Sequence, residues 1–313
     1  MFKSRAPLFF SETEVVVVDD NKNFTRSLEL LLSHNKHTKI RCFNFPEEAE
    51  TYLEGVVDLN DAQFQSSLET IQETEGDTDR IYSFLNYNKI FPFKKNTIVS
   101  VLISDFSMPK TSGIEFLEKY KYYHPVKILL TGEADSELAV KAFNNKVIDY
   151  FYLKGTSSNK DLLNNLNDLV VDFFLNVSDA LDKTFYYLRG NCEFIKLINA
   201  WMKENDIKSY CFYHDSGSIL GLDEFGIEYW FLMLNEEQYN DSLEMLKSQG
   251  VEEKVLNLVK DKKIMYVTPT EHTKLQSIEE CSKFFFSIEG SFRVRLGQKI
   301  YYSTSKVNLS PEY

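Results

Sequence analysis

Cysteine is scarce, with 4 in 313 residues. Cys42, Cys192, Cys211 and Cys281 are scattered and no two of them form a C-x-x-C pair, which argues against a disulfide framework or a redox motif and fits reduced thiols in a cytoplasmic protein. Glycine (12) and proline (7) are also few, so collagenous and proline-rich architectures are excluded. Basic residues are in deficit: 35 Lys+Arg stand against 47 Asp+Glu, for a net charge of −12. Such a chain is repelled by phosphate backbones and anionic membranes unless a local basic patch overrides the balance, and none of convincing size is present. No apolar run reaches the ~18 residues needed to span a bilayer. The short run at 7–10 follows Lys3 and Arg5 and meets Glu12 and Glu14 at once, too short for a secretory signal core, so no export is expected.

What is present is apolar and aromatic, 43% and 14% of the chain, enough for packed cores. The length fits two domains. In the first half, apolar runs at 15–18, 40–43, 98–103, 126–130 and 147–153 alternate with amphipathic stretches at 24–32, 47–53, 114–120 and 136–143. This predicts βα units around a parallel sheet, with the charged second run at its edge. From about 55 to 97 the alternation stops, and an acidic stretch leads into one rich in Tyr, Phe and Ile. That segment reads as an insertion whose aromatics pack rather than bind a ligand.

The polar residues that close these strands point to chemistry. In an open parallel sheet the ligand site lies beyond the carboxyl ends of the strands. Asp19 and Asp20 follow the first strand, Asp105 the third, Thr131 the fourth and Lys154 the fifth. Three crowded carboxylates call for a hard divalent cation such as Mg²⁺, and a nearby hydroxyl and ammonium suit phosphoryl oxygens. The set reads as phosphoryl transfer to a carboxylate, with an aspartyl phosphate as the covalent product.

Residues 14 to about 167 resemble a response-regulator receiver domain. The likeness rests on five elements in order: Asp19-Asp20 after an apolar strand, Asp105 with Met108-Pro109 and Gly113, Thr131-Gly132, and Lys154. The resemblance implies a flavodoxin-like α/β fold with strand order 2-1-3-4-5, phosphorylated by a sensor histidine kinase or a phosphotransfer protein. It implies Asp105 as phosphoacceptor, with Asp19, Asp20, Asp105 and the backbone carbonyl of Ser107 holding Mg²⁺. It further implies Lys154 on the phosphoryl group, a switch hydroxyl at Thr131, and Phe151 as the aromatic that turns inward with it. Ser107 and Glu133 would tune the phosphate's lifetime. Such a protein is a switch rather than an enzyme acting on other substrates. Two departures stand out. Gly155 follows the lysine where many receivers have proline, and the 55–97 insertion separates the second helix from the third strand.

Other motifs fail on physical grounds. Lys154-Gly155-Thr156 lacks the upstream glycines of a phosphate-binding loop. The consecutive His214, Asp215 and Ser216 cannot form a catalytic triad, and Cys211 with His214 has no further zinc ligands.

The sequence divides into a receiver at 1–157, a helical connector at 158–190 and an α+β output domain at 191–313. In the connector, Leu163, Leu166, Val170, Phe173, Val177 and Ala180 form a stripe. It belongs either to the last receiver helix, followed by a second helix capped at Ser178, or to one rod that pairs two chains into a homodimer. The last part predicts a helix at 192–204, an antiparallel meander at 209–234, helices at 236–247 and 252–260, and closing strands near 284–288 and 299–303. It resembles an uncharacterised module that follows receivers in some bacterial response regulators, and with the inserted receiver it has a weaker likeness to quorum-sensing response regulators. Residues 191–313 carry 14 basic and 19 acidic side chains, which disfavours DNA binding. Three outputs stay open. They are a phosphorylation-controlled pairing or interaction module, a nucleotide or small-ligand site shaped by Trp230, and a DNA-binding regulator using Arg293, Arg295, Lys299 and Lys306.

Overall fold

The computed structural model describes residues 1–32, 38–57, 98–121, 125–132, 136–154, 156–181, 185–212, 216–267, 284–294 and 297–306. Most of the insertion at 55–97, together with Glu133, Gly155, His214, Asp215 and Arg295, lies outside the described residues. The described residues form two compact units. One contains residues 10–181; the other joins residues 2–9 to the chain from 182 onward. The chain's first strand, β1 (Phe9–Phe10), pairs in the sheet of the second unit.

The first unit alternates β2 (Thr13–Val18), α1 (Lys22–Leu32), β3 (Thr38–Phe43), α2 (Pro46–Val57), β4 (Val99–Asp105), α3 (Gly113–Lys119), β5 (Val126–Thr131), α4 (Ser136–Asn144), β6 (Tyr150–Leu153) and α5 (Thr156–Leu181). Its sheet runs β3-β2-β4-β5-β6, all parallel. This is the flavodoxin-like order that the resemblance implies. Every residue of β2, β4 and β5 is buried, because helices cover both faces, and this is why these strands read as unbroken apolar runs. One face packs Val16, Val18, Leu102 and Leu129 against Ala49, Leu53, Phe116 and Leu117. The predicted edge strand is β3. The fifth strand is shorter than predicted: residues 147–149 lie outside it, after a turn at residues 145–146 in which Lys146 has a φ of 57°, although Val147 and Ile148 are buried.

The connector expected at 158–190 is redrawn. α5 is one helix of 26 residues that runs through Ser178. Leu166, Val170, Phe173 and Val177 are buried, and the helix packs on β4, β5 and β6. The stripe therefore covers the chain's own sheet, which answers the pairing reading: it is not a free seam for a second copy.

At the start of β2, Glu14 is 6% exposed and accepts from Arg41 Nε at 3.0 Å and Nη2 at 3.1 Å. Tyr52 of α2 donates to the same carboxylate, and the guanidinium lies over the Tyr52 ring at 4.5 Å. The triad pins edge strand and helix to the central strand. Burial opposes the Glu14 charge, but the Arg41 and Tyr52 hydrogen bonds outweigh it and hold the carboxyl below its usual range. The same surroundings push Tyr52 up to about 12.

The second unit has α6 (Tyr186–Arg189), α7 (Cys192–Glu204), β7 (Ser209–Phe212), β8 (Ile219–Leu222), β9 (Glu228–Asn235), α8 (Glu236–Ser248), α9 (Glu253–Lys260), β10 (Ile264–Tyr266), β11 (Phe285–Ser287), β12 (Gly290–Arg293) and β13 (Lys299–Ser305). A six-stranded sheet in the order β1-β7-β8-β9-β13-β12 contains the predicted antiparallel meander, and β10 pairs with β11 separately. Asn191 caps α7 by accepting from Glu193 and Phe194 N–H, both at 3.0 Å. The helix then lays Phe194, Ile198 and Trp201 on the sheet, with Trp201 5.8 Å from Phe231.

Residues 2–9, expected within the receiver span of 1–157, are built into this second unit. Phe2 exchanges backbone hydrogen bonds with the Asn199 side chain at 3.0 and 2.8 Å. The Arg189 side chain, fully buried, donates to the Ala6 carbonyl at 2.8 Å, Tyr210 donates to Pro7 at 2.9 Å, and Phe212 N–H to Leu8 at 2.8 Å. Backbone polar groups in a core must be paired, and these partners pair them. The apolar run at 7–10 is a core segment.

Two outcomes follow. Because the folded pKa of Glu14 is depressed, its stabilisation is present above the unfolded carboxylate range and is lost as pH falls through the folded value. Glu14→Gln is expected to lower stability by about 2 kcal/mol at pH 7, with the gap to wild type narrowing below about pH 4 in urea melts. Both tryptophans, Trp201 and Trp230, lie in the second unit, so their fluorescence reports on it alone. Removing residues 1–9 should lower the urea midpoint read by that fluorescence.

Candidate functional site

The carboxyl ends of the parallel strands bring together the residues singled out by sequence. Asp19 and Asp20 leave β2, Asp105 ends β4, Thr131 ends β5 and Lys154 follows β6. Each of the three aspartates offers a carboxylate oxygen within 4.8 Å of the others. Asp19 is fully buried, Asp105 is 6% exposed and Asp20 faces solvent. Lys154 Nζ lies 2.8 Å from Asp19 Oδ2 and 2.8 Å from Asp105 Oδ1.

Local structure sets each position. Asp19 Oδ1 accepts from Asn21 N–H at 2.9 Å, and Asn44 donates to the Asp19 carbonyl at 2.9 Å, which locks the loop after β2. Asn21 in turn accepts from Asn23 and Phe24 N–H at 3.1 and 3.2 Å and so starts α1. After β4, Phe106 N–H donates to the Leu130 carbonyl and Gly113 N–H to that of Phe106, folding residues 107–112 back over the strand end. Ser112 and Glu115 form a capping box that begins α3. A methyl group at Gly113 would sit 2.0 Å from the Asp105 carbonyl oxygen, so the last position of the D-x-x-M-P-x-x-x-G pattern must be glycine.

Burial raises the Asp105 pKa against the opposing hydrogen bond from Lys154, and the negative charge of Asp19 adds to the rise. For Lys154, burial opposes the ammonium, but the hydrogen bonds to Asp105 and Asp19 more than offset it and hold the pKa above its usual value. Three carboxylates and one ammonium leave two negative charges unbalanced. The donor set is all oxygen and partly solvent-facing, which suits a small hard dication. An open pocket of about 560 Å³ lies beside it, lined by Asp20, Ser107, Pro109 and Lys110 among others.

Thr131 is fully buried, and its hydroxyl donates to the Gly132 carbonyl at 2.9 Å. Phe151, expected to turn inward, points outward and is 37% exposed. In this arrangement the Thr131 hydroxyl is engaged locally rather than with Asp105. Phe151 instead lines a groove of about 810 Å³ with Phe143, Ile148, Tyr150 and Asp172. Sequence reasoning missed Phe24, whose ring centroid lies 5.3 Å from Lys154 Nζ; as one apolar residue in an amphipathic helix it gives no sign of this role.

Of the output candidates, Trp230 is 2% exposed and belongs to the core. Arg293 donates to the Gly297 carbonyl, while Lys299 and Lys306 lie over the rings of Tyr301 and Tyr229.

The chain superposes on the response regulator LqsR of Legionella pneumophila with a TM-score of 0.71 at 22% identity, covering 98% of this chain and 91% of that one. The two chains share a fold. A response regulator receiver domain protein from Clostridium thermocellum aligns with 50% of this chain and 94% of its own, at 18% identity and a TM-score of 0.35. A CheY-like receiver domain protein from Methanospirillum hungatei aligns with 52% and 97%, also at 18% and 0.35. No family model matches the chain, and no curated protein sequence matches it.

Gly113→Ala is expected to cost about 1–3 kcal/mol by overpacking. The loss should be read as a lower urea midpoint of the first unit by far-ultraviolet circular dichroism, since the loop it displaces follows β4 directly.

Proposed function

We propose that the protein is a two-component response regulator in which Asp105 accepts a phosphoryl group from a sensor histidine kinase or a phosphotransfer protein. The observation that carries this reading is the buried Asp105 carboxylate, held 2.8 Å from Lys154 within a cluster of three aspartates at the strand ends. The fold shared with LqsR supports it. In the transfer, an Asp105 oxygen forms a bond to phosphorus as the phosphorus–nitrogen bond to the donor histidine breaks, and the departing imidazole takes up a proton. Asp19, Asp20, Asp105 and the Ser107 carbonyl would hold Mg²⁺, which neutralises charge on the phosphoryl oxygens. Lys154 supplies a further positive charge to those oxygens. Phosphoryl chemistry is confined to the chain's own aspartate, so the protein acts as a cytoplasmic switch rather than as an enzyme on other substrates.

The readout is a change in pairing or in output-domain contacts. Exposed apolar side chains on two neighbouring elements support pairing: Leu138, Val140 and Phe143 of α4 and Tyr150, Phe151 and Leu153 of β6 are each between 37% and 50% exposed. Phe151 belongs to this set, so a turn of its ring coupled to Thr131 reshapes the surface when Asp105 is modified. The likeness to quorum-sensing regulators suggests a density-dependent input.

Incubation with acetyl phosphate and Mg²⁺ should add one phosphoryl group to wild type by intact-mass measurement and none to Asp105→Asn; equal labelling of both overturns the assignment. In sedimentation velocity, the labelled wild type should shift toward dimer, whereas Phe143→Asp should take the label and stay monomeric. Dimerisation of that variant removes these α4 and β6 side chains from the reading.

A further inference from the structure

Lys154 is the only basic side chain within ion-pair distance of Asp19 or Asp105 among the described residues, and its ammonium has three protons to place. Two carboxylates lie 2.8 Å from it as ion-pair partners. On a remaining side lies the ring of Phe24, its centroid 5.3 Å from Nζ, within the range in which the negative face of a benzene ring attracts a cation. The backbone of Phe24 is tied to the loop that carries Asp19. Asp19 accepts from Asn21 N–H, and the Asn21 side chain accepts from Phe24 N–H, so the loop that presents the buried carboxylate also positions the backbone from which the ring extends. Phe24 is half-buried, which strengthens a cation–π contact relative to one in open water.

We infer that Phe24 is a positioning residue for phosphoryl transfer at Asp105, holding the Lys154 ammonium at the site by its ring face. This inference rests on the phosphoacceptor reading. The argument is one of competition. A carboxylate partner of the lysine is lost whenever its oxygens are taken by another ligand or by a covalent phosphoryl group. A ring face binds an ammonium, yet competes for neither a metal nor a phosphoryl oxygen, so it keeps the lysine in place while its oxygen partners change. Lys154 is otherwise free to swing on four methylenes, at an entropic cost to each return.

Two measurements test this on the full chain. In the metal-free protein, carbon–proton correlation spectra of the lysine side chains should show the Lys154 ε-methylene shifted upfield by the ring, assigned through its absence in Lys154→Gln. The shift should vanish in Phe24→Leu and persist in Phe24→Trp. With acetyl phosphate and Mg²⁺, Phe24→Leu should be labelled about threefold to tenfold more slowly than wild type, and Phe24→Trp at or above the wild-type rate. In a Lys154→Gln background, Phe24→Leu should cause no further slowing, because the ring then has no cation to hold. An unchanged methylene shift, a wild-type rate in Phe24→Leu, or equal slowing with and without the lysine overturns the inference. A wild type that takes no label overturns both the phosphoacceptor reading and this role built on it. If instead only the Phe24 comparisons fail, the phosphoacceptor reading stands.

Discussion

The site depends on one ammonium held between two buried carboxylates. Asp19 and Asp105 end neighbouring strands with almost no exposure, and like charges so close and so poorly solvated are unfavourable unless a cation joins them. Lys154 supplies it at 2.8 Å from each. The strand order that puts β2 and β4 side by side and closes the loop after β6 over them is what makes the arrangement possible. Asp20 sits on the open side of the same cluster and gives it a charge surplus that a dication can satisfy.

The architecture of the first unit was legible because helices bury both faces of its inner strands, and continuous apolar runs survive in the sequence as a direct trace of that burial. The polar residue closing each run marked the site for the same reason: a parallel sheet has one end where ligands gather. Gly113 shows how a pattern letter becomes a physical demand, since the Asp105 backbone leaves no room for a side chain there. Val147 and Ile148 misled because burial, not strand pairing, had chosen them.

What the sequence hid are contacts that join distant positions. The short amino-terminal segment gives no periodicity to read, and the groups that pair its backbone at Phe2, Ala6, Pro7 and Leu8 come from Asn199, Arg189, Tyr210 and Phe212, about two hundred residues later. The stripe on α5 was visible, but a stripe alone does not say what covers it; the chain's own sheet does. The orientation of Phe151 and the ring of Phe24 under the lysine are matters of rotamer, which spacing does not encode.

The amino-terminal strand also makes the first unit an insertion within the other one, since residues 10–181 interrupt the polypeptide that builds the six-stranded sheet. During synthesis the ribosome delivers one edge of that sheet first and the rest only after the whole inserted unit has emerged. The inserted unit can thus be complete while the other is still waiting for its remaining strands, and the first apolar residues must avoid other partners throughout that interval.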